Sequence, residues 1–117
     1  MSYADGFVAA VPAENKIAYT EHARRAAEVF KEYGALRVVE TWGNDVPEGK
    51  MTSFSMAVKA RPDETVVFSW IWWPSKAVRD AGWEKIMADP RMSPENNPMP
   101  FDGKRLIYGG FDIIVDL

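Results

Sequence analysis

The chain contains no cysteine. That excludes disulfides, thiolate nucleophiles and cysteine-ligated zinc or iron–sulfur clusters. Its 117 residues hold a single histidine, and one imidazole without thiolates does not make an ordinary ligand set, so no metal site is expected. Basic charge is not in excess either. Seventeen acidic residues against 14 basic leave a net charge of −3, the opposite of the footprint of a nucleic-acid binder. Arg24, Arg25 and Lys31 are the best basic grouping, and they read as the solvated face of a helix. No apolar run approaches the roughly 20 residues needed to cross a bilayer. The first residues, Met1-Ser-Tyr-Ala-Asp-Gly, lack the basic region and apolar stretch of a secretory leader. Neither nucleic acid nor a membrane is therefore expected as a partner, and a cytoplasmic setting is the simplest reading. Phosphate-binding and dinucleotide loops are missing, since Gly109-Gly110 falls inside a strand and opens no helix. No motif implies a cofactor.

What the chain does have is ordinary globular composition, 47% hydrophobic and 26% charged, which fits one domain over residues 1–117. Its most apolar and aromatic stretch runs from Glu64 to Pro74. β-branched and aromatic residues fill Thr65 to Trp73, and Pro74 ends it, so a central strand is expected. Alternation puts Phe68, Trp70 and Trp72 on one face and Val67, Ile71 and Trp73 on the other. Neither face suits water.

Around this strand the pattern alternates between periods. Residues 3–11 read as a strand with Tyr3, Asp5 and Phe7 on one side and Ala4, Val8 and Ala10 on the other. Residues 13–33 switch to helical spacing, with Tyr19, Ala23, Ala26, Ala27 and Phe30 on one stripe and Gly34 as C-cap. His22 lies at the edge of that stripe. Residues 35–43 predict a second strand carrying Glu40, and Phe54, Met56 and Val58 alternate as a short strand or extended edge. A second helix starts at the N-cap Ser75 and ends at Asp89-Pro90, with Ala77, Val78, Ala81 and Ala88 as its apolar stripe and Trp83 opposite them. Residues 90–103 predict an irregular loop of the length that forms lids or wraps partners. Residues 104–116 form the last strand, where Gly109-Gly110 suggests a bulge.

This order is that of an α+β fold, a ferredoxin-like βαββαβ antiparallel sheet with two helices on one face. Two helices cover only one face. The small set Ala4, Val8, Ala10, Val67 and Ile71 suits the covered side, which leaves Tyr3, Phe7, Phe68, Trp70 and Trp72 on the other. So much open aromatic surface predicts a C2 homodimer with the two open faces packed into a barrel-like core.

Tyr3-Ala-Asp-Gly-Phe7, Tyr33-Gly-Ala-Leu-Arg-Val-Val-Glu40, Glu64-Thr-Val-Val-Phe-Ser-Trp70, Trp73-Pro-Ser-Lys-Ala-Val-Arg-Asp80, Ala88-Asp-Pro-Arg-Met92, Met99-Pro-Phe-Asp-Gly-Lys-Arg105 and Tyr108-Gly-Gly-Phe111 resemble the YbaA-like bacterial family over nearly the whole chain. The resemblance implies a domain of unknown function with the dimeric α+β barrel fold, related in fold to the antibiotic-biosynthesis-monooxygenase group. Such barrels include cofactor-independent oxygenases, isomerases and haem-degrading enzymes. The haem-degrading relatives use an asparagine in the first strand and a helical histidine. This chain has Asp5 in that strand and no histidine on its second helix, a departure that argues against haem.

Two functions are open at this level. One is binding or conversion of a small hydrophobic or aromatic metabolite without a cofactor. Its candidate catalytic residues are Asp5, His22, Glu40 and Tyr108, polar groups set beside aromatics, and Phe7, Phe68, Trp70 and Trp72 are its candidate pocket walls. The other is a non-catalytic dimeric binding or scaffold module whose aromatics simply fill the dimer core.

Overall fold

A computed structural model describes residues 2–117; Met1, the first residue of the expected domain, lies outside the described residues. Four strands, β1 (Tyr3–Pro12), β2 (Arg37–Glu40), β3 (Glu64–Trp73) and β4 (Ile107–Asp112), form one antiparallel sheet in the order β2-β3-β1-β4. Helices α1 (Lys16–Glu32) and α3 (Lys76–Ala88) lie on one face, and a single turn of helix, α2 (Phe54–Ala57), precedes β3. The ferredoxin-like order is thus as expected, with the apolar β3 between β1 and β2. Among the described residues no helix is long and apolar enough to cross a membrane.

Local chemistry sets the boundaries. Gly34 ends α1 with a φ of 112°, a conformation that glycine adopts without steric cost. Ser75 caps α3 by accepting a bond from the Val78 backbone N–H at 3.2 Å, and Asp89 precedes Pro90 at its end. Residues 54–57, expected as an extended edge, are helical instead. Ser53 caps them through the Met56 backbone N–H at 3.0 Å, and a local cap outweighs a brief alternation that no neighbouring strand supports. The strand expected over 35–43 pairs regularly only over 37–40. The Leu36 and Gly43 N–H groups still reach β3 carbonyls, and between them the Thr41 hydroxyl takes the Phe68 carbonyl.

The register corrects one assignment of faces. Tyr3 stands opposite Trp73, Asp5 opposite Ile71, Phe7 opposite Ser69 and Ala9 opposite Val67, and residues directly opposite share a face. Tyr3, Asp5 and Phe7 therefore lie on the helix-covered side with Ile71 and Trp73. The open side carries Ala4 and Gly6 across from Trp72 and Trp70. Small residues of β1 belong where the tryptophans of β3 need room. Nor is there a bulge at Gly109-Gly110, because β1 and β4 pair without interruption from Tyr3–Asp112 to Val8–Ile107. Gly110 is required for another reason: a Cβ there would collide with the Tyr3 ring.

On the covered side Trp73, fully buried, is surrounded by Val29, Phe30, Ile71 and Ile86. The inward stripe of α3 is Val78, Gly82 and Ile86 with Trp83 beside it, while Ala77, Ala81 and Ala88 face solvent. Glycine in mid-stripe hides that period, and Trp83 packs against Phe30 with ring centres 5.2 Å apart. Gly82 is where Trp73 crosses the helix. An added Cβ would sit 2.8 Å from the Tyr33 carbonyl oxygen and 2.9 Å from the Trp73 ring. Gly82→Ala is expected to lower stability by about 1–3 kcal/mol in urea unfolding, because overpacking against backbone outweighs the helix-propensity gain of up to about 1 kcal/mol.

Candidate functional site

Between α1 and the sheet lies a cavity of about 520 Å3. Its floor is Phe7, Ala9, Val67, Ser69 and Ile71 from the strands, and one wall is Tyr19, His22, Ala23, Ala26 and Phe30 from α1. Trp83 closes one end, and the 90–103 loop covers it with Met92, Pro94, Asn97, Pro98, Met99 and Phe101. Ala23 and Ala26 of α1 leave the space open, since small side chains there cannot reach the floor.

The cover is tied down. Asn97, 4% exposed, receives one side-chain bond and makes another. The His22 Nδ1 lies 3.0 Å from its Oδ1, and its Nδ2 donates to the His22 carbonyl at 3.2 Å. Asn15 donates to the Pro100 carbonyl at 2.9 Å. Where the loop rejoins the sheet, Arg105 makes two 2.7 Å bonds to the Glu64 carboxylate, which hold that acid down at about 2. Tyr33 fixes the near end through Asp89 at 2.7 Å.

The lining is apolar except for two stations. One is His22 with Asn97. Burial pushes the His22 imidazole below its usual pKa, against its hydrogen bonds to Asn97 and the Pro98 carbonyl. The other is Glu40, whose Oε1 accepts a hydrogen bond from the Tyr19 hydroxyl at 2.6 Å with Ser69 as a second donor. By area Glu40 is open along the sheet edge, but its carboxylate is packed among protein atoms on the inner side. That desolvation raises its pKa, against the two hydroxyl donors. Burial and the adjacent carboxylate also drive the Tyr19 phenol far above its usual range, so it stays a donor.

A raised carboxyl pKa has a sign in stability. The folded chain holds the Glu40 proton more tightly than the unfolded chain, so this contribution is complete below the unfolded value near 4.5 and is lost as pH rises through the higher folded value. Glu40→Gln, which mimics the protonated form, is expected to gain on the parent as pH rises from 4 to 7. Paired thermal melts across that range check it, and a constant difference would contradict it.

The four sequence candidates do not all meet. His22 and Glu40 line the cavity. Asp5 is 3% exposed and accepts from Trp73 Nε1 at 2.9 Å, Trp83 Nε1 at 2.8 Å, and Arg79 Nε and Nη2 at 3.0 and 2.8 Å. Four donors occupy its lone pairs, so it holds the fold and is not free to act as a base. Tyr108 is 74% exposed on the edge strand, its ring centre 6.5 Å from Phe7, and does not line the cavity. The four expected pocket aromatics also divide. Phe7 lines the cavity, whereas Phe68, Trp70 and Trp72 lie on the opposite, open face, because the register places them across from Val8, Gly6 and Ala4. Sequence reasoning missed Tyr19, Ser69 and Asn97. Ser69 carried a signal, as the one polar residue between Val67 and Ile71 on the covered face of β3.

A second, smaller space of about 320 Å3 lies on the other side of this wall, between α1 and β2, lined in part by Lys16, Thr20, Arg24, Thr41 and Trp42.

Comparison with known proteins agrees with this architecture. A family model described as "Protein of unknown function (DUF1428)" matches residues 2–103. The uncharacterized protein YbaA of Escherichia coli K12 is 63% identical over 116 residues, covering 99% of each chain, and YbaA of Shigella flexneri aligns with the same identity and coverage. Among solved structures, SnoaB, a cofactor-independent oxygenase from Streptomyces nogalater determined as a mutant, superposes with a TM-score of 0.56 at 16% identity over 99% of this chain and 96% of that one. At that identity the likeness is one of fold. With a family model over most of its length and full-length relatives at 63% identity, the chain belongs to the YbaA family of proteins of unknown function (DUF1428).

Proposed function

We propose that the protein is a cytoplasmic homodimer in which each protomer binds a small hydrophobic or aromatic metabolite in the covered cavity, without a cofactor, and that the Glu40–Tyr19–Ser69 cluster is where any conversion takes place. The observation that carries this reading is the cavity itself. About 520 Å3 of largely apolar space with two polar stations, His22 with Asn97 and Glu40 with Tyr19, matches the usual build of a small-molecule site. The fold it shares with a cofactor-independent oxygenase supports the cofactor-free part by analogy only. Pairing of subunits is supported by the open face, where Phe68, Ile107 and Phe111 remain 44%, 43% and 60% exposed, more contiguous apolar surface than a monomer ordinarily keeps.

The test is thermal melting of the parent and Ala26→Phe, which fills the cavity from α1, against two-ring aromatics with and without a hydroxyl. A ligand at about 100 times its Kd adds about 2.7 kcal/mol, or roughly 10 °C in Tm for a chain of this size. That shift is expected in the parent and absent in the filled variant, whose own melt confirms that it folds. If no compound raises the parent above the filled variant, the binding reading fails and a dimeric module without a small-molecule site takes its place.

A further inference from the structure

The inner cavity and the outer groove share a wall. Tyr19, Ala23 and Glu40 line both, so where α1 meets β2 the two spaces are one side chain apart. Only Tyr19 and Glu40 bring side-chain polar atoms to that wall, and they are bonded to each other at 2.6 Å. Glu40 is the last residue of a four-residue edge strand, so among the described residues no further strand seals its far side. Its carboxylate thus has an apolar chamber on one side and a solvent-facing groove on the other.

We propose that Glu40 is a proton port: it takes the proton of an acidic hydroxyl, a phenol or an enol, on a ligand in the inner cavity and passes it to water in the outer groove, with Tyr19 as its positioning residue. The inference rests on the ligand-binding reading above and names the ligand class for it. The step is heterolytic. The ligand O–H bond breaks, its electron pair stays on the ligand oxygen, the proton bonds to a Glu40 carboxylate oxygen, and water then removes it. No oxidant or reductant takes part.

Three observations favour Glu40 over other routes. Among the described residues it is the only carboxylate in the inner lining, and the surrounding apolar walls suit a ring carrying the hydroxyl. His22, the other ionisable base there, is held by Asn97 and lines the inner cavity alone, so a proton it accepted would have no exit through the groove. On the groove side the charged groups are Lys16 and Arg24 of α1, neither ion-paired among the described residues. Burial on the inner side raises its proton affinity toward that of an acidic hydroxyl, the matching that general-base transfer requires.

The experiment compares 4-nitrophenol with its methyl ether, 4-nitroanisole, which has no proton to give. Both are expected to bind the parent, and ether affinity is measured in Glu40→Gln as the reference against which its nitrophenol midpoint is read. Bound nitrophenol should ionise about one pH unit higher in the parent than in Glu40→Gln, because an ionised Glu40 opposes a second anion beside it. Tyr19→Phe, which takes a donor from the ionised carboxylate, should move that midpoint part of the way toward Glu40→Gln, a shift that lost packing alone would not give. Thr20→Trp fills the groove from an exposed position outside the inner lining. It should leave ether affinity unchanged and slow the pH-jump relaxation of bound nitrophenol by about tenfold or more. Ether binding with an unshifted midpoint in Glu40→Gln, or with unslowed relaxation in Thr20→Trp, overturns the port and leaves the cavity reading standing. If the ether does not bind, the port as stated is overturned, and the cavity reading is decided by the two-ring aromatics.

Discussion

Asp5→Ala is expected to destabilise the protein by about 3–5 kcal/mol, the cost of breaking a buried ion pair by removing one partner. Asp5 is 3% exposed and is the common acceptor for Trp73, Trp83 and Arg79. Removing its carboxylate strands two indole N–H groups and leaves a guanidinium whose side chain is only 23% exposed without its main counter-charge. The neighbouring Asp80 offers that guanidinium one bond at 2.9 Å, and its side chain is 48% exposed, so compensation is partial. Asp5→Asn keeps the shape and one acceptor oxygen, and should lose less. The Arg79→Met, Asp5→Leu pair should recover part of the loss of Asp5→Ala, because two apolar groups leave no unpaired charge. Urea unfolding of the four chains measures this. A loss below about 1 kcal/mol for Asp5→Ala would mean that the cluster is not what ties β1, β3 and α3 together.

The same residue illustrates what could be read from sequence. Its parity was legible: Asp5 does lie between Tyr3 and Phe7 on one face. Its partners were not, since they are 68 to 78 residues away and only the fold brings them together. The order of elements was legible because the period changes from two to near four and back, with Ser75 and Gly34 marking helix ends. Which face of β1 meets the helices was not. Both of its faces are partly apolar, and volume alone favoured the small set for the covered side. The choice is made instead across the sheet, where Trp70 and Trp72 need Gly6 and Ala4 opposite them. That inversion leaves Phe68, Trp70 and Trp72 on the face away from the cavity, with Phe7 alone of the expected walls lining it. Glu40 could be singled out as a carboxylate among Leu36, Val38 and Trp42. Its bond to Tyr19 could not, because Tyr19 fits an apolar helical stripe equally well as a plain core residue.

Phe68→Glu is expected to convert the proposed dimer, of about twice 13.2 kDa, into a 13.2 kDa monomer at micromolar concentration. Phe68 stands on the open face with its ring centre 5.4 Å from Trp70 and 5.9 Å from Phe54. In a face-to-face C2 pair each substitution is made twice. Two carboxylates would then be buried in an apolar interface with no basic partner added. At several kcal/mol for each unpaired charge, the dissociation constant should rise at least about a thousandfold. The fold itself should hold, because Phe68 is 44% exposed in the protomer and a carboxylate there can reach water once the subunits part. Unchanged circular dichroism with halved mass in sedimentation is therefore the expected pair of results. Val8, Ala10, Val58 and Val66, which cluster where α2 covers one end of this face, provide the internal contrast: a charge at the buried Val58 should unfold the chain and not merely divide it. A parent chain that already sediments as a monomer, or a Phe68→Glu chain that remains a dimer, would show that the open face is not the interface.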